Sequence, residues 1–107
     1  MSKAQTERIK KMESYLDEAG AAIAELAEAL DKYEKIQSKY YKLEDYYGSK
    51  KWMDDFEADE AGKLPADLKR GVLSEDAVYD LITDHNKLMA RLQRIVLRSL
   101  EKSEPRQ

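Results

Sequence analysis

Ile9–Tyr33, IKKMESYLDEAGAAIAELAEALDKY, decides the fold. Its apolar positions are Ile9, Met12, Leu16, Ala19, Ile23, Leu26, Leu30 and Tyr33. Steps of three and four residues alternate along the whole stretch, which is a heptad seam running down one face of a helix. Past Tyr33 the apolar positions become Ile36, Tyr40, Leu43 and Tyr47, whereas the old register would put Gln37 and Glu44 on the seam. This slip is a three-residue stammer, which overwinds a helix or shifts its contact face. It predicts a change of partner near residue 35. With no proline before Gly48, the first helix is expected over about 3–47.

Punctuation follows. Gly48 suits a left-handed helix end and Ser49 suits the N-cap of a second helix, expected over about 50–61 with Trp52, Met53 and Phe56 on its apolar face. Gly62 stops that helix. Pro65 opens a single turn at 65–70, and Gly71, read as a positive-φ position, closes it. Ser74 is read as the N-cap of a last helix over about 75–100, with Leu73 and Val78 as a hydrophobic staple. That helix carries Val78, Leu81, His85, Leu88, Leu92, Ile95 and Ser99 as its core stripe, widened by Ile82, Met89 and Val96. A polar tail, 101–107, is expected to fray.

The expected fold class is therefore all-α and a single domain. A long N-terminal helix and a shorter C-terminal helix form an antiparallel helical hairpin or coiled coil, with a short helix and capped turns at the bend. At 1.5 Å per residue the two helices are about 65 and 40 Å long, so the seam at Ile9, Met12 and Leu16 should overhang and form a homodimer. Seven of the nine aromatic residues fall between Tyr33 and Phe56. Together with Tyr79 they are expected to gather at the bend as the main core. Gly20, inside Ala19-Gly20-Ala21-Ala22, reads either as a tolerated glycine on a small-residue face or as the site of a close helix crossing.

Composition narrows the chemistry. The chain has 107 residues and a net charge of −3, and 55 of them are Ala, Glu, Lys, Leu or Arg, the signature of long helices. No cysteine is present, which removes disulfides, zinc–thiolate sites and a Cys nucleophile and leans towards a reducing, cytoplasmic compartment. No apolar run reaches the roughly 20 residues of a membrane span, and the start does not read as a signal peptide. Mild acidity argues against direct nucleic-acid binding, which needs a basic face.

The stretches Tyr46-Tyr47-Gly48-Ser49-Lys50-Lys51-Trp52, Asp59-Glu60-Ala61-Gly62-Lys63-Leu64-Pro65 and Leu68-Lys69-Arg70-Gly71-Val72-Leu73-Ser74-Glu75-Asp76 resemble a bacterial family of small helical proteins catalogued as domain of unknown function 4298. The resemblance implies a small, cytoplasmic bacterial protein without an established activity, and it brings no site residues with it.

Asp54, Asp55, Glu57, Asp59 and Glu60 place five carboxylates in seven residues. EF-hand spacing fails: counted from Asp55, the sixth residue is Glu60 where glycine belongs. A solvated face, or pairing with Lys63, Lys69 and Arg70, accounts for the cluster. His85, the only histidine, has Leu81, Ile82, Leu88 and Met89 at its helical neighbour positions and no metal-ligating partner among them. No nucleophile–base pair or phosphate loop is visible, so no catalytic, cofactor or metal residue is assigned. The residues support a non-catalytic protein–protein interaction or adaptor module. Its candidate surface is Trp52, Asp59, Lys63, Leu68, Lys69 and Arg70, and its candidate dimer seam is Ile9, Met12 and Leu16. The other reading is a small ligand- or divalent-metal-dependent module with its site at the aromatic and acidic bend.

Overall fold

The computed structural model describes residues 2–103. Three α-helices and one 3-10 turn follow in chain order: α1 (Lys3–Tyr47), α2 (Lys50–Glu60), the 3-10 turn Gly71–Leu73, and α3 (Ala77–Lys102). Among the described residues no strand is present, and the fold class is all-α. Internal contacts divide the chain into two units, Met1–Tyr40 and Tyr41–Gln107, with the division falling inside α1.

The first unit is one helix. Ser2 starts it, accepting the backbone N–H of Gln5 on its hydroxyl at 3.1 Å. Residues 7–32 are all exposed. The uncovered seam is therefore longer than the Ile9, Met12 and Leu16 overhang expected from helix lengths, and includes Ile23 at 66% exposure. Tyr40, which both apolar registers share, is buried.

The second unit is organised by its turns. Ser49 caps α2, accepting the N–H of Trp52 on its hydroxyl at 3.3 Å while its own N–H and O–H both reach the Tyr46 carbonyl. Gly62 ends α2 with φ of 68°. There the Gly62 N–H bonds Asp59 O and the Lys63 N–H bonds Ala58 O, each at 3.0 Å, the two closures of a Schellman motif. This corrects the assignment of left-handed backbone to Gly48 and Gly71. Among the described residues only Gly62 has positive φ, because Ser49 restarts a helix at once after Gly48 and Gly71 opens a 3-10 turn, whose φ is negative.

A turn forms within the expected 65–70 stretch, opened by Pro65 and closed by the Leu68 N–H on its carbonyl at 3.2 Å. A separate 3-10 turn follows at Gly71–Leu73. The 3-10 turn packs against both α2 and α3. Leu73 and Val78, the staple pair, are buried at 5% and 3% exposure. Ser74 accepts the Ala77 N–H at 3.1 Å, so the hydroxyl caps the helix although α3 becomes regular at Ala77 rather than near residue 75.

Burial on α3 is concentrated at its N-terminal end. His85 and Leu92 are half-buried, whereas Leu81, Leu88 and Ile95 of the expected core stripe are exposed. Tyr79 does not join the aromatic core. It is 60% exposed because it lies one residue, about 100° of helix, from the inward-facing Val78. Helix α3 continues through Lys102 into the segment expected to fray, and residues 104–107 lie outside the described residues. No helix of the described residues is long and apolar enough to cross a membrane.

Candidate functional site

Polar and aromatic side chains converge on the turns of the second unit. Trp52, in the first turn of α2, stacks on Phe56 with centroids 5.2 Å apart and meets Tyr47 edge-on at 5.1 Å. The (i, i+4) spacing of Trp52 and Phe56 places both rings on one face of α2. The Trp52 indole N–H donates to the Val72 carbonyl at 3.0 Å, and the Tyr47 hydroxyl donates to the Glu75 carbonyl at 3.2 Å. Aromatic rings thus satisfy backbone acceptors that the irregular 70–76 segment cannot pair internally.

Two of the clustered carboxylates are engaged across the bend. Asp55 accepts a 2.6 Å hydrogen bond from the Tyr46 hydroxyl. That bond, with smaller effects from burial and the carboxylate's charge, pushes the Tyr46 phenol up to about 12. Asp59 accepts from Arg70 Nη1 at 2.7 Å, and Arg70 Nη2 reaches the Ala66 carbonyl at 3.5 Å. A third carboxylate, Asp54, pairs loosely with Lys50 one turn back on α2. A groove of about 350 Å³ opens beside these contacts, lined by Tyr46, Asp55, Leu64, Leu68, Lys69 and Arg70 together with Val72 and Leu73. Among the described residues no group of three or more His, Asp or Glu side chains gathers closely enough to hold a metal ion.

The expected interaction surface therefore divides. Trp52, Asp59 and Arg70 are half-buried and engaged in the bend's own bonds, whereas Lys63, Leu68 and Lys69 are exposed. Leu68, Lys69 and Arg70 are brought to one groove. Ile9, Met12 and Leu16 are exposed on α1, the last at 65%. A second feature escaped the sequence reading. Met89, Leu92, Val96, Leu97 and Leu100, with Gln93, line an apolar groove of about 370 Å³ on α3. Its signal was present in the apolar run Ile95-Val96-Leu97, which is wider than one seam needs. The Tyr46–Asp55 and Tyr47–Glu75 bonds had no such signal, since they join residues across turns whose course no local pattern gives.

The helices and the cross-bonded bend define an all-helical protein with an internally satisfied polar cluster and uncovered apolar stripes. The sequence profile of a family described as Domain of unknown function (DUF4298) matches residues 9–95, and the chain belongs to that family. No curated protein matches it.

Proposed function

We propose that this protein is a non-catalytic protein–protein interaction or adaptor module that works in the bacterial cytoplasm. One observation carries the reading: the apolar stripes of both long helices are exposed. Ile23 and Leu26 on α1, and Leu88, Ile95, Leu97 and Leu100 on α3, are all large and exposed, while Tyr40, Leu73 and Val78 alone among the described hydrophobic residues are buried. Apolar surface of that extent marks an interaction site in a water-soluble chain. The net charge of −3 favours a protein partner over nucleic acid.

The ligand- or metal-dependent alternative has less to stand on. The groove at the bend is bordered by Asp55 and Arg70, whose polar atoms already bond Tyr46 and Asp59.

Affinity purification of the tagged protein from its own cell at low salt, beside the Leu97→Asp variant, tests the proposal. A partner recovered with the parent chain and lost with the variant, at unchanged melting temperature, is the expected result. Equal recovery from both, together with a similar result for Ile23→Asp, would remove the reading.

A further inference from the structure

We infer that residues 9–33 pair antiparallel with the same segment of a second copy of this chain, centred on Ala21. The inference rests on the interaction reading above and names its partner for the first unit.

From Ile9 to Leu30 the seam is a heptad stripe without a cover: residues 7–32 are all exposed. A lone helix of this kind is marginal in water, and most helical stability comes from packing an apolar face. Antiparallel self-pairing fits the register. Centring on Ala21 sets Ile9 opposite Tyr33, Met12 opposite Leu30, Leu16 opposite Leu26 and Ala19 opposite Ile23. Every layer then joins an a position to a d position, as antiparallel seams require, and the small Ala19 receives the larger Ile23.

Charge selects this orientation. Residues 3–11 carry four basic side chains and one acidic, a net of +3, and residues 25–34 carry four acidic and one basic, a net of −3. Antiparallel pairing in this register sets residues 8–11, with Arg8, Lys10 and Lys11, opposite residues 31–34 of the partner copy, a net of −1, with Lys10 towards Asp31 and Glu34. Parallel pairing would oppose like charges at both blocks and recover only an offset Arg8–Glu13 pair. In the single chain Lys10 lies 3.7 Å from Glu7, both highly exposed, an attraction weak enough to be exchanged. Size agrees: the small residues Gly20 and Ala22 flank the seam beside the axis, where the two helices would approach.

The test uses the full chain, whose lack of cysteine makes an engineered thiol unique. Ala22→Cys puts two thiols beside the axis of an antiparallel pair and on opposite sides of a parallel one. Met12→Cys does the reverse, since Met12 meets its own copy only in a parallel seam. The expected results are a dimer by sedimentation at micromolar concentration that weakens as salt rises, disulfide dimers from Ala22→Cys but not from Met12→Cys, and an Ile23→Asp variant that associates at least about 30-fold more weakly. Trp52 fluorescence and melting temperature report that the second unit stays folded in each variant. A monomer at high micromolar concentration, or crosslinking through Met12→Cys alone, would overturn the pairing. A monomer from which an Ile23-dependent partner is still recovered would end self-pairing and leave the interaction reading standing. A monomer with neither an Ile23-dependent nor a Leu97-dependent partner would end both.

Discussion

The Trp52 indole N–H donates to the Val72 carbonyl at 3.0 Å, joining α2 to the 3-10 turn twenty residues further along the chain. The same ring stacks on Phe56 and meets the edge of Tyr47. One half-buried side chain therefore holds three parts of the bend.

Trp52→Ala is expected to cost about 2–4 kcal/mol, at and below the range for a fully buried aromatic because Trp52 is half-buried. Trp52→Phe keeps a ring against Phe56 and removes only the indole donor, at about 1 kcal/mol. Urea denaturation followed by circular dichroism reads both values. A loss below 0.5 kcal/mol for the alanine variant (within about the usual surface range) would mean that the ring does not hold the bend.

Two glycines should behave oppositely. Gly62 has φ of 68°, so Gly62→Ala forces a side chain into left-handed backbone and is expected to cost about 1–2 kcal/mol. Gly71 has no positive φ, and an added Cβ there meets nothing within 4 Å. Gly71→Ala is expected to be neutral or stabilising by a few tenths, about the gain from a stiffer unfolded chain. Melting curves of the two variants in parallel check the contrast.

Alkaline pH should loosen the bend through Tyr46. Its folded-state value, about 12, lies above the ordinary tyrosine value near 10. The Tyr46–Asp55 contribution is therefore complete below about pH 10 and is lost as pH rises through about 12. The Asp55→Ala variant removes the acceptor, the principal cause, and its Tyr46 should titrate nearer the ordinary value. Phenolate absorbance of the parent, Asp55→Ala and Tyr46→Phe chains between pH 9 and 12 (bracketing about those two values) isolates this phenol from the others. An unchanged titration in Asp55→Ala would show that the hydrogen bond is not its cause.

Neighbouring cations should separate in energy. Arg70 and Asp59 form a 2.7 Å pair whose side chains are 35% and 24% exposed, so solvent screens part of its strength. A double-mutant cycle with Arg70→Ala and Asp59→Ala is expected to give a coupling of about 0.5–1.5 kcal/mol that shrinks in salt. Lys69→Ala, at an exposed position, should stay within about ±0.5 kcal/mol. A Lys69 loss as large as that of Arg70 would mean that this lysine has a structural partner.

Helices, caps and staple were legible in the sequence because each depends on residues within a turn or two of one another. The spacing of Ile9 through Tyr33 fixes the helical period, Ser49 and Ser74 carry their capping oxygens in their own side chains, and Leu73 and Val78 flank one cap and are both buried. What no local pattern contained was which apolar stripe finds a cover and where the bend's polar groups end. Leu81, Leu88 and Ile95 match the periodicity of a core as well as Val78 does, yet of the four only Val78 is buried. Asp55 and Asp59 are alike as members of an acidic run, yet one receives a tyrosine hydroxyl and the other a guanidinium. The left-handed turn could not be assigned from glycine identity either, since Gly48, Gly62 and Gly71 are each able to adopt it and the need arises only where the chain must reverse. Period and capping are properties of the local backbone, whereas cover, partner and φ at a turn depend on the path of residues far along the chain, and that path exists only in the tertiary structure.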